Sequence, residues 1–202
     1  MSKKIILPII KMVLGAAMIV LALVAFIPEP EAFVEMTFIS NFAGGAVLLA
    51  DGILYFKNKS VPNIVYRNLV GCLFSVFIIC TGSLTGAYNM NFKGVFFFIH
   101  TVFPILFLLI YIIFVNEREG KTIVKIATMP ILTIAYLLFD YIYGNVRGKF
   151  VYEIVNPNEL TFLYALLIGV VFYFLISLFG CFFIGFNKIA HPIKDIDQKS
   201  TK

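Results

Sequence analysis

Apolar residues run along the chain in six long blocks joined by short polar connections, and no block alternates apolar and polar residues in the rhythm of a strand. The blocks cover residues 5–27, 38–55, 64–84, 95–115, 123–142 and 160–186. A helix needs about 20 apolar residues to cross a hydrocarbon layer roughly 30 Å thick, and each block approaches or exceeds that length. In lipid every backbone polar group must be satisfied within the protein, which a helix does by itself. The pattern predicts an all-α polytopic membrane protein. It is one domain over residues 1–202, a bundle of six transmembrane helices with no room for a separate soluble domain.

Composition sharpens this. The chain is 61% apolar and 13% charged, with 23 Phe, far from the balance of a soluble domain and too apolar to stay disordered. Lys3, Lys4 and Lys11 lie near the start, Lys57, Lys59 and Arg67 around the second connection, and Arg118, Lys121 and Lys125 around the fourth. Lys188, Lys194, Lys199 and Lys202 form the tail. Only Lys93, Arg147 and Lys149 are left for the other face, where Glu29, Glu31 and Glu35 also fall. That asymmetry places both termini in the cytoplasm. The net charge of +5 is then topology and attraction to anionic membrane lipids, and no nucleic-acid partner is expected. The first block reads as an uncleaved anchor span, because Pro28-Glu29-Pro30 follows it where a cleavage site would need small residues. Absence of Trp and abundance of Lys, Ile, Phe and Asn point to an AT-rich bacterial genome and a plasma (inner) membrane. Cys72, Cys80 and Cys181 fall within spans as packing residues, His100 and His191 lie on opposite sides, and neither a metal nor another cofactor is expected.

Polar groups within spans are costly and tend to mark function. In the second span Thr37, Ser40, Asn41 and Gly44 recur at helical spacing on one face, which resumes at Asp51, Gly52 and Tyr55. Gly44, Gly45 and Gly52 read as a close-packing surface. Asp51 reads as structural, pairing with Lys57 or Arg67. His100 enters the fourth span from the non-cytoplasmic side, in the leaflet where Thr37 begins the second. His100 is either a neutral core histidine or a proton carrier; Thr37 is either a helix N-cap or a nucleophile activated by His100. Asp140, sharing a face with Thr133 and Tyr136, is either an interfacial charge or a carboxylate that orients His100. Phe96, Phe97, Phe98, Phe103, Phe172 and Phe174 either meet lipid and core or line an acyl-chain cavity. Arg147 and Lys149 either hold a substrate carboxylate or reach to lipid phosphates.

Met36-Thr37-Phe38-Ile39 resembles the Leu-Thr-Phe-Ile segment of the androgen-induced and androgen-dependent membrane proteins. These are six-span threonine hydrolases of fatty acid esters of hydroxy fatty acids. His100-Thr101-Val102-Phe103-Pro104 resembles their His-Thr-(Thr)-Val-Leu-Pro segment, and Gly148-Lys149-Phe150-Val151-Tyr152 their Gly-Met-Trp-Val-Tyr. Thr37-Phe38-Ile39-Ser40-Asn41 is similar to the Thr-x-x-Ser-Asn of bacterial six-span relatives, often called Pr6Pr proteins. Phe150 departs from the family's Trp and Glu153 from its Pro, which bears on the substrate more than on the catalytic pair. The resemblance implies a lipid ester substrate, Thr37 as nucleophile and His100 as base. Ser40 and Asn41 would support the hydroxyl or the oxyanion, and Arg147, Lys149 and Tyr152 would face the substrate. Amides around Phe38 to Ser40, at the start of the second helix, are further expected oxyanion donors. A small lipid or solute transporter, or a non-catalytic lipid-binding bundle, are the rival readings.

Overall fold

Pro28 and Pro30 stop the first apolar block. It folds as α1 (Lys3–Phe26), and Pro30 opens a 3-10 turn over Pro30–Val34, a place where a residue without an amide donor costs nothing. The next helix, α2 (Met36–Tyr55), starts directly after it. There follow α3 (Asn63–Gly82), α4 (Val95–Phe114), α5 (Thr122–Arg147) and α6 (Phe162–Ala190). A computed structural model describes residues 3–82, 93–151 and 161–192. Among them there is no strand, and all six helices are long and apolar enough to cross a membrane.

Helices in lipid gain little from hydrophobic burial against one another, so close packing and interhelical polar contacts hold them. Gly15 and Gly45 show the first. A Cβ on Gly15 would stand 2.5 Å from the Gly45 carbonyl oxygen, and one on Gly45 would stand 2.7 Å from that of Gly15. The α1 and α2 backbones touch there, and Gly52 extends the contact toward Met12. Around this pair Met18, Leu48, Tyr66, Leu73, Phe107 and Ile176 interlock as a core from α1, α2, α3, α4 and α6. The central helix is α3, and α6 is the most exposed.

Two helices are interrupted. Pro104 has no amide to return to the carbonyl one turn earlier, and its ring crowds that position. The preceding turn widens into a π-helical turn over Phe98–Val102, closed by Phe103 N–H donating to Phe98 O. Pro130 likewise splits α5 into Thr122–Thr128 and Ile131–Arg147, and the Met129 backbone at the break packs directly on Gly71 of α3.

The end of the bundle near Lys11 and the 56–62 and 115–121 connections, hereafter the basic end, is tied by ion pairs. Lys11 Nζ lies 2.6 Å from Asp51 Oδ2. Tyr66 donates to the same oxygen at 2.8 Å, and Val61 N–H to Asp51 Oδ1 at 2.8 Å. Asp51 therefore pairs with Lys11, not with Lys57 or Arg67. Arg67 instead holds both oxygens of Glu117 at 2.9 and 3.0 Å, with Lys125 3.6 Å from Glu117 Oε2. Asn187 Nδ2 donates to Tyr111 O and Val115 O, and Asn187 Oδ1 accepts Glu117 N–H. That buried amide carries α6 on to Ala190, beyond the apolar block ending at 186, because it satisfies the open carbonyls ending α4.

Candidate active site

The opposite, acidic end carries the polar face of α2. Glu35, extended at φ −65° and ψ 140°, precedes the helix without a side-chain capping bond. Thr37 is thus the second helical residue and not its N-cap, and its side chain turns inward. Thr37 is 1% exposed, Ser40 1%, Asn41 0% and His100 4%. Their burial at one level follows from the spacing on α2 and from the widened turn of α4 that carries His100. Rings of Phe26, Phe38 and Phe96 pack in sequence above it, and the Phe96 ring reaches His100 at 5.9 Å between centroids.

Asn41 joins the two helices. Its Nδ2 donates to Thr37 O at 2.8 Å and to Ile99 O at 3.0 Å, so one amide ties the residue before His100 to the start of α2. Both amide protons are thereby used, and Asn41 is no oxyanion donor. It fits the orienting role instead. Its Oδ1 is buried and accepts from no described residue, an arrangement that costs roughly 1–3 kcal/mol. Ser40 Oγ points back to Thr37 O at 3.4 Å. Ile39 N–H donates to Glu35 O at 3.0 Å. The amides the helix leaves open therefore sit at Met36 and Phe38, earlier than the expected Phe38 to Ser40, because the helix begins before the apolar block does.

The remaining expected residues have other partners. Asp140 Oδ1 accepts Val151 N–H at 2.8 Å, which pins the chain returning after α5. Gly148, at φ +74°, makes that reversal, and Phe150 then lies flat on Gly144, where a Cβ would overlap its ring. Lys149 is 3.5 Å from Glu31, and Arg147 stacks 5.8 Å over the Tyr143 ring. Tyr152 lies outside the described residues. Phe97, Phe98 and Phe174 are exposed at the lipid-facing surface and Phe103 is buried in the core.

A cavity of about 370 Å³ opens between the 3-10 turn and the returning chain, with Glu29, Glu31, Glu35, Tyr143, Lys149 and Phe150 on its wall. The expected acyl-lining phenylalanines are absent from its lining; Phe150 takes that place. Tyr136 fixes the turn above Thr37 by donating to Val34 O at 3.1 Å. Glu35 is half-buried, and desolvation first, then the nearby Glu29 carboxylate, push its pKa up to about 7. Sequence reading counted Glu35 only as a topological charge; its position two residues before Thr37 was the available signal. Among the described residues no three His, Cys, Asp or Glu side chains gather as a metal site. No protein-family model, curated protein or solved structure matches the chain.

Proposed function

We propose that the chain is an intramembrane ester hydrolase acting on lipid esters, with Thr37 as nucleophile and His100 as its base. The carrying observation is Asn41. A fully buried side chain clamps the Thr37 and Ile99 carbonyls together and keeps one acceptor open beside them. That open acceptor, next to the Thr37 carbonyl, is available to a substrate hydroxyl or a hydrolytic water. The motif resemblance quoted above supports the same roles.

In this reading His100 takes the Thr37 proton as the hydroxyl oxygen attacks the ester carbonyl carbon. The bond to the alcohol breaks, the alcohol leaves with the proton from His100, and the acyl group remains on Thr37. Water then attacks the acyl-threonine, His100 accepts its proton and returns it to the threonine oxygen, and the fatty acid departs. The negative carbonyl oxygen is stabilised by the open amides at Met36 and Phe38, at the positive end of the α2 dipole. The distribution of Lys and Arg supports a cytoplasmic basic end, a site in the outer leaflet, and a bacterial inner membrane.

The test is hydrolysis by purified protein in detergent of esters varying in chain length and branching. Wild type turns over, and Thr37→Ala and His100→Ala do not while keeping the wild-type melting curve. Turnover equal in all three, or none in wild type, overturns the reading in favour of a transporter or a lipid-binding bundle.

A further inference from the structure

The cavity wall has a charge pattern that the proposed reaction does not use. Glu31 and Lys149 neutralise each other across the opening at 3.5 Å, and both are exposed. Deeper, Glu35 is half-buried, and its carboxyl, unlike that of Glu31, is in no salt bridge among the described residues. It lines the cavity and directly precedes Met36 and Thr37, both buried, which makes it the lining residue nearest to Thr37 along the chain. The groups lining the cavity with it are Glu29 just before the 3-10 turn, Glu31 within it, and Tyr143 and Lys149 from α5 and its return; Cys80 of α3 lies close enough to feel its charge, and Arg147 lines the neighbouring recess with Glu31 and Lys149. With every carboxyl ionised, Glu29, Glu31 and Glu35 stand in this wall against the single cation Lys149. Protonation of Glu35 lowers that negative excess, and Glu35 is the carboxyl of the three whose proton is held up to near neutral pH.

Resting on the hydrolase reading of Thr37, we propose that Glu35 selects ligands by charge at the entrance, admitting uncharged lipid esters at all pH values and anionic amphiphiles only when its carboxyl is protonated. A protonated carboxyl donates a hydrogen bond to an anionic head group. An ionised one, in a partly desolvated wall, repels it. Burial and Glu29 place the change of state near neutral pH, where both forms are populated. A unit charge acting across several Å of partly desolvated protein changes affinity by about tenfold.

Two fluorescent esters of equal chain length test this, one with a sulfonate head whose charge does not titrate, the other with a hydroxyl head. Binding to Thr37→Ala protein in non-ionic detergent is measured between pH 5.5 and 8.5, so no turnover is needed and loss of the hydrolase reading leaves the measurement intact. Affinity for the sulfonate, relative to the hydroxyl ester, falls about tenfold as pH rises through 7. In a protein that also carries Glu35→Gln the ratio stays at its low-pH value throughout. The hydroxyl ester together with Glu35→Gln separates the contribution of every other titrating group. A flat ratio in the parent protein, the same slope with and without Glu35→Gln, or no binding of either ester overturns the proposal.

Discussion

The two ends of the bundle bury polar groups under opposite rules. At the basic end Lys11, Asp51, Arg67, Glu117 and Lys125 are all buried, and each charge meets an opposite one within 4 Å. At the acidic end the buried groups are the uncharged Thr37, Ser40 and Asn41 together with His100, and the ion pair described there, Glu31 with Lys149, is exposed. There Asn41 keeps an acceptor open among the described residues, and Glu35 a carboxyl whose pKa is raised by its burial and by Glu29. Charges removed from water must be paired or they destabilise the fold by several kcal/mol. Neutral groups can be left half-used for roughly 1–3 kcal/mol, an amount a fold can carry where a ligand later supplies the missing partner. On the proposed reading the basic end holds the bundle together and the acidic end receives the ligand.

The sharpest way to break this contrast is through chemistry. Thr37→Ala and His100→Ala each lower ester turnover by about a thousandfold or more, and the double variant is hardly worse than either single one, because the pair acts as a unit. Melting temperatures stay near that of wild type. Glu117→Gln does the reverse. It leaves Arg67 and Lys125 without their carboxylate and costs roughly 3–5 kcal/mol in thermal unfolding, while kcat of the protein that remains folded is preserved.

Asn41→Leu sits between the two. Loss of the clamp on Thr37 O and Ile99 O lowers kcat by about 10- to 100-fold with little change in KM, since misplacement by about 1 Å suffices for a loss of that order. An unchanged kcat with a lowered melting temperature would make Asn41 a packing residue. The smallest effect is Glu29→Gln. The Glu29 carboxylate raises the Glu35 pKa, so its removal moves the midpoint of the sulfonate-binding profile downward by a fraction of a pH unit. The same shift has a stability counterpart. The folded protein holds the Glu35 proton more tightly than the unfolded chain, so stability falls as pH rises from about 4.5 toward 7. Glu35→Gln flattens that decline in a melting series.

Six spans were legible because lipid imposes a length and a composition that hydropathy reads directly. Their ends were less so, because the end of a helix is set by what its last polar groups touch. Asn187 looks like the close of a span, yet it extends α6 because α4 offers carbonyls to it. Asp51 was recognised as structural, but its partner Lys11 stands 40 residues earlier within an apolar run. Only the register of α1 against α2, fixed where Gly15 meets Gly45, brings them together. The polar face of α2 was visible from spacing, while the use of both Asn41 protons was not, since it depends on where α4 widens. Asp140 resolved toward the loop because Gly148 turns the chain back onto α5, an event three-and-four spacing cannot report.

The widened turn of α4 holds one residue more than a regular helix would over the same length. Each residue of an α-helix advances the side chains by about 100°, so that surplus residue resets the phase of everything preceding it. Val95–Phe97 and Phe103–Phe114 consequently obey two different frames, and no single helical wheel drawn through α4 describes both. Deleting one residue from Phe98–Val102 would leave a smoother helix of nearly the same hydropathy and swing the Phe96 segment about a quarter-turn away from α1. In this stretch a one-residue gap is a rotation, and a substitution matrix has no means of recording it.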